Sequence, residues 1–354
     1  MPTVSRRVLF SVAAVVGVLW LVEGAAWFVE PHVKPPTRTL PPPSPGRDEA
    51  FLQQAARARD QLGGIVMVQD DATEWALPAD RIVMSGDVPC RINTLGLRGP
   101  DLGPRAPDEE RILTLGDSSV FGDGVPEAAV FSSVAAEKLA ATWGRPVTGV
   151  IGGVPGHDSS QALARLREKG AAVAPTWIVV ATLWSDLYKD RGLLRPSQTV
   201  EAVRTPLRAF ATYRVARIFL TPFMRERKVG WIADMDGDVG GQGEEGRSRV
   251  RLRDYVDNLR AMADHAGTLG ARVAFLALPA PVDLDPAGAP EEVAEYRAAL
   301  ARVAEERGAP FVDGPAWLRT NGGTIGHFAD QVHPNVHGHK LVGEALAAGL
   351  ANAR

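Results

Sequence analysis

The 354-residue chain contains one cysteine, Cys90. A single thiol excludes an intrachain disulfide and any zinc site built from paired cysteines. Charge is equally unhelpful to a polyanion. The 39 Lys and Arg stand against 42 Asp and Glu, leaving a net charge of −3 without a block of either sign. That balance gives no support for a nucleic-acid partner, which normally requires a basic face. Long apolar runs are scarce too, and the exception is at the N-terminus.

There, Arg6 and Arg7 precede an uncharged run from Val8 to Val22, 15 residues long, and Glu23 follows. Continuing to Val29 gives 22 residues, enough to cross a bilayer if Glu23 sits near an interface. The leading arginines favour a cytoplasmic N-terminus, with the rest of the chain outside the cytoplasm. Residues 1–30 are therefore expected to be a membrane anchor, or a signal segment cleaved near Gly24-Ala25-Ala26. The first case gives an anchored periplasmic protein and the second a secreted one.

Residues 31–50, PHVKPPTRTLPPPSPGRDEA, are too rich in proline for helix or central strand. They read as an extended linker. Residues 51–107 read as an extension packed on the main domain, with a short helix at its start. One or two strands and turns are expected in DRIVMSGDVPCRINTLGLRGPDL. From residue 108 strands and helices alternate. Strands are expected at 111–115, 146–151, 177–183, 272–278 and 310–312. Helices are expected at 131–142, 159–169, 251–266, 291–307 and 338–352. The strands are apolar throughout, as in a parallel sheet covered on both faces. Gly308 stands where a C′ glycine ends a helix. The pattern predicts a three-layer α/β/α sandwich with a mostly parallel, flavodoxin-like sheet.

An insertion covers 190–250. Within it, residues 205–224 look helical. Asp234, Asp236, Asp238 and Glu245 match four positions of a calcium loop. Val239 replaces the required glycine, so a solvated loop is the expectation and no metal is called.

Three places carry chemistry. Ser118 follows the first strand of the alternating region in LGDSS, where a serine is either a helix cap or a nucleophile. Asp330 and His333 lie in DQVHP before the last helix. A histidine there can take the serine proton, with the aspartate orienting its imidazole. Gly156, in GGVPGHDSSQ after the second strand, can offer a backbone N–H to an oxyanion, as can Ser118 itself. His333, His337 and His339 also have a spacing that zinc could use, although Pro334 favours a turn at that point. The polar turn GDSSVFGDG has neither a P-loop lysine nor G-x-G-x-x-G, so it is not read as a nucleotide site. No cofactor is expected.

In order and context these blocks resemble the SGNH/GDSL hydrolase family, in its membrane-anchored or secreted bacterial form. Gly116-Asp117-Ser118 matches the first block, with Ser119 in place of the usual leucine. Gly156 matches the second block, and Asp330 with His333 the last. The resemblance spans about 110–352 and extends upstream to INTLGLRGPDL. It implies the α/β/α fold, Ser118 as nucleophile, His333 as base, Asp330 as orienter, and hydrolysis or transfer of ester-linked acyl groups. The third block departs. Ser185, in LWSDL, stands where the family carries an asparagine that donates to the oxyanion.

The expected function is hydrolysis of O-acyl esters through an acyl-enzyme on Ser118. The oxyanion would be held by Ser118, Gly156 and Ser185, and the substrate would be an envelope glycan or lipid. The alternatives are acyl transfer to a polysaccharide hydroxyl, or a degenerate glycan-binding protein. The substituted asparagine favours the last, and the retained Ser118, Asp330 and His333 oppose it.

Overall fold

The computed structural model describes residues 6–33, 65–188 except 66 and 71, 210–216 except 214, 248–351 and 353. The helix expected near residue 51, the proline-rich linker and the calcium-like loop lie outside them. The chain forms two compact units. One combines Met1–Pro41 with Pro196–Asp238, and the other Pro42–Arg195 with Val239–Arg354.

In the first unit, α1 (Arg6–Val33) is a single helix. Leu19, Trp20, Leu21, Trp27 and Phe28 are exposed on it. Glu23 is not left bare within the apolar run. Its carboxylate accepts hydrogen bonds from the Ala211 and Thr212 N–H groups and, at 2.6 Å, from the Thr212 hydroxyl. Among the described residues no helix is long and apolar enough to cross a membrane. The expected membrane span thus finds no support in the structure, and Glu23 interrupts the run after its first 15 residues.

The second unit opens with two hairpins. The strands β1 (Val68–Asp70) and β2 (Glu74–Ala76) pair antiparallel, as do β3 (Arg81–Ser85) and β4 (Val88–Ile92). The hairpin β3–β4 lies within DRIVMSGDVPCRINTLGLRGPDL, where one or two strands and turns are expected. Arg98 bridges Ile92 on one side and Ile151 on the other, and this seats the extension at the edge of the main sheet. Covering an edge removes a site for unwanted pairing.

That sheet contains β5 (Glu110–Gly116), β6 (Val147–Ile151), β7 (Trp177–Ala181), β8 (Arg272–Ala277) and β9 (Phe311–Asp313). The order is β6-β5-β7-β8-β9 and every pair is parallel. This is the flavodoxin-like order, whose ligand site lies where the topology reverses, beside the first and third strands of the sheet. Every residue of β5 and β7 is buried. Helices cover both faces, so no polar alternation is required. Against one face pack α3 (Phe131–Trp143) and α9 (Val336–Ala351); against the other pack α4 (Ser159–Val173), α6 (Leu252–Thr268) and α7 (Glu291–Glu306). Ile112, Leu115, Leu166, Val179, Phe275 and Leu346 join the two layers into one core.

The expected α/β/α sandwich is the fold found, and all five strands and five helices lie within a few residues of their predicted bounds. Cap chemistry sets the ends. α4 starts at a capping box, in which Asp158 accepts from Gln161 N–H and the Gln161 side chain accepts from Asp158 N–H. It ends four residues beyond its predicted end, at a left-handed Ala174. α7 is followed by Gly308 at φ +57°, as the C′ reading requires. The short helix α8 (Gly314–Thr320), capped by Asp313, was not expected.

Candidate active site

The site lies where β5 and β7 end. β5 stops at Gly116, and Asp117 caps the short helix α2 (Ser118–Phe121) by accepting from Ser119 N–H at 3.0 Å. This is the helix-cap role that a strand-end acid suggests, and it sets Ser118 on the first turn. Ser118 is nevertheless not used as a cap. Its Oγ lies 2.7 Å from Nε2 of His333.

His333 arrives from the loop before α9. Asp330 holds that loop, because one carboxylate oxygen accepts from both Val332 and His333 N–H at 2.8 Å. The other oxygen lies 2.5 Å from His333 Nδ1. The three side chains thus form one chain of contacts: carboxylate, imidazole, hydroxyl. Burial alone would lower the His333 pKa, but the hydrogen bond and charge of Asp330 outweigh it, and Asp123 and Asp117 add to them. The net shift is upward. For Asp330, burial pushes the other way from His333 and the two backbone donors. The donors win, and the pKa falls to about 2. The pair is therefore arranged to keep the carboxylate charged and the imidazole a strong base.

Gly156 follows β6, in the left-handed region at φ +76°. A side chain there would be strained, so glycine fits the position. Three residues earlier the loop runs against α2. A Cβ on Gly153 would come within 2.4 Å of Phe121 N, so the loop reaches the nucleophile turn because no side chain intervenes. Among the described residues, the N–H groups of Ser118 and Gly156 donate to no protein acceptor. They are the free donors the site offers to a developing oxyanion.

Ser185 lies on α5 (Trp184–Leu187), beside the nucleophile turn. Its N–H donates to Asp117 at 3.2 Å, and its hydroxyl also bears on that carboxylate. Asp117 is fully buried, and burial raises its pKa despite the donors from Ser119 and Ser185. The next residue, Asp186, is buried as well. Burial and the charge of Asp158 raise its pKa well above the usual range, although Ser159 donates to it through both N–H and hydroxyl. The departure in the third block thus leaves a serine satisfying a buried carboxylate.

Several contacts have no signal in the sequence. The Ser119 hydroxyl donates to Val332 O at 3.2 Å, tying the nucleophile turn to the histidine loop. Arg98 is buried, and its guanidinium donates to Phe121 O and Gly122 O at 2.7 Å and also to Val125 O. It thereby closes the C-terminal end of α2. Nothing in the upstream INTLGLRGPDL stretch points to this partner.

The other histidines of the cluster diverge from His333. His337 packs edge-on against His327, and His339 is buried, accepting from Phe131 N–H. Burial takes the His339 pKa down to about 3, so it stays neutral. Among the described residues no group of three or more His, Cys, Asp or Glu is placed to hold a metal. Cys90 is buried and its thiol is pushed up to about 11, which leaves it a poor nucleophile.

The model of the GDSL-like lipase/acylhydrolase family matches residues 114–341. The chain belongs to that family. It is a hydrolase acting on ester bonds. No curated protein matches the chain. Among solved structures, an acetylxylan esterase from Geobacillus stearothermophilus is similar at 19% identity, with 68% of this chain and 94% of that one covered and a TM-score of 0.44. A lipase/acylhydrolase from Enterococcus faecalis is similar at 16% identity, covering 69% and 96%, with a TM-score of 0.45. An enzyme from the metagenome of Lake Arreo, Spain, is similar at 15% identity, covering 68% and 94%, with a TM-score of 0.44.

Proposed function

We propose that Ser118 is the nucleophile of a serine esterase that removes O-acyl groups, acetyl groups among them, from an envelope glycan or lipid. The observation that carries this reading is the contact chain from Asp330 through His333 to Ser118. His333 Nε2 takes the proton of Ser118 Oγ as that oxygen attacks the acyl carbon. The N–H groups of Ser118 and Gly156 hold the carbonyl oxygen as it becomes an oxyanion. Collapse breaks the ester C–O bond, and His333 returns the proton to the departing alcohol. Water, deprotonated by His333, then attacks the acyl-enzyme. The acid leaves and Ser118 regains its proton.

The oxyanion hole of this reading has two backbone donors and no third-block asparagine. Placement outside the cytoplasm is supported by Arg6 and Arg7 ahead of the apolar run and by the proline-rich 31–50. Cell fractionation tests it. Recovery of the full-length protein in the soluble cytoplasmic fraction contradicts it.

The experiment for the chemistry is hydrolysis of a short-chain nitrophenyl ester by the full-length protein beside its Ser118→Ala variant. The proposal requires the variant to lose activity. Equal rates overturn it.

A further inference from the structure

Gly156 is gripped by side chains that come from outside the α/β core. On one side, the indole N–H of Trp75, in β2, donates to Pro155 O at 3.0 Å. On the other, His157 Nε2 donates to the Trp75 carbonyl at 2.8 Å. The two rings meet edge to face, 5.5 Å apart. The Gln161 side chain adds a bond to Thr73 O at 2.5 Å. Trp75 thus fixes the residues before and after the glycine.

Gly156 itself is held from the opposite end of the sequence. The Arg249 guanidinium donates to Gly156 O at 2.8 Å. Arg249 is 4% exposed, so this contact is made away from bulk water. Its guanidinium lies over the Tyr188 ring at 5.2 Å, and its N–H donates to Tyr188 O at 3.0 Å. Val250 N–H donates to Asp186 O at 3.2 Å. Residues 249 and 250, at the end of the insertion, are thereby laced to the segment carrying Ser185, and Arg249 reaches the glycine.

A left-handed glycine has no side chain to fix its orientation, so what touches its peptide groups decides where its N–H points. Here Ser185 serves Asp117, and the proposed hole depends on two backbone donors. A small tilt of one of them is costly, because an oxyanion donor acts through position. We infer that Arg249 and Trp75 are positioning residues that aim the Gly156 N–H at the oxyanion. The extension and the end of the insertion are then working parts of the hydrolase. The inference rests on the proposed serine mechanism.

The test uses the full-length protein and the variants Arg249→Ala and Trp75→Phe, the second removing one N–H while keeping an aromatic ring. Each is expected to lower kcat roughly 10- to 100-fold with KM changed less than about threefold. The pH midpoint of activity stays where it is in the wild type, because Asp330 and His333 are untouched. Millimolar guanidinium restores part of the rate in Arg249→Ala and none in Trp75→Phe. Hydrogen exchange of the amides in 152–157 speeds up in both. Unchanged kcat in folded variants, a loss confined to KM, or unchanged exchange in 152–157 overturns the inference. If Arg249→Ala fails to fold, Arg249→Lys and Trp75→Phe are judged by the same criteria. A wild-type protein without esterase activity sinks the serine mechanism, and the exchange readout still decides whether these residues hold the loop.

Discussion

His333 Nε2 sits 2.7 Å from Ser118 Oγ, although 215 residues separate them in the chain. One partner follows β5, an interior strand of the parallel sheet, and the other leads into the last helix. The contact exists because both stretches end at the same edge of the sheet. It makes a serine at a strand end chemically competent, since a hydroxyl without an adjacent base is a weak nucleophile.

The first prediction concerns pH. Activity requires neutral His333, and its pKa is raised above the ordinary histidine value by Asp330, against the effect of burial. The wild-type rate therefore rises with pH through a midpoint above about 6.5. Asp330→Asn removes the charge that supports the imidazolium, so the midpoint moves down and kcat falls by roughly 10²- to 10⁴-fold. A pH–rate profile of both proteins checks this, and an unshifted midpoint in the variant contradicts it.

The same pair makes a linked prediction for stability. The raised His333 pKa contributes stability that is fully present below about 6.5 and is lost as pH rises through the folded value. The lowered Asp330 pKa contributes stability above its ordinary value, lost as pH falls toward about 2. The wild-type advantage over Asp330→Asn in thermal unfolding should therefore be largest in the mildly acidic range. A constant difference from pH 4 to pH 9 counts against the pairing.

Ser185 decides how the hole is built. Its N–H and hydroxyl both serve the buried Asp117. Ser185→Ala is predicted to cost about 1–3 kcal/mol of stability, the cost of taking a donor from a buried acceptor. It should change kcat less than about tenfold, against the 10²–10³ that loss of an oxyanion donor brings. Denaturant unfolding and steady-state kinetics on one preparation separate the two. A loss of about 10²-fold or more would make Ser185 an oxyanion donor after all.

Arg98 tests whether the extension supports the nucleophile turn. It is buried and donates to three carbonyls at the end of α2. Arg98→Ala leaves those carbonyls without their donor, and a destabilisation of about 3–5 kcal/mol is expected. Arg98→Lys should recover only part of it, since an ammonium lacks the planar fork that reaches several acceptors. Thermal unfolding of both variants gives the measurement. A loss below about 1 kcal/mol in Arg98→Ala contradicts the role.

Much of this was legible from residue order. The apolar runs that become β5 and β7 are buried on both faces, so their composition betrayed the parallel sheet. Gly116-Asp117-Ser118 and Asp330-x-x-His333 carry local patterns, because each is organised by bonds within a few residues, such as Asp117 to Ser119 and Asp330 to His333. What escaped was contact between distant segments. Nothing near Ser119 announces Val332, and nothing near Trp75 announces Pro155. Ser185 escaped for another reason. Its position in the third block suggested an asparagine's work, while its short side chain reaches a buried carboxylate that sequence alone does not show to be buried.

The most direct measurement is covalent labelling of the full-length protein by a fluorophosphonate, followed by mass spectrometry of the modified peptide. The adduct is predicted on Ser118, formed faster as pH rises through the His333 midpoint, and absent from Ser118→Ala. A wild-type protein that stays unlabelled while folded, or an adduct on any other residue, would contradict Ser118 as the nucleophile.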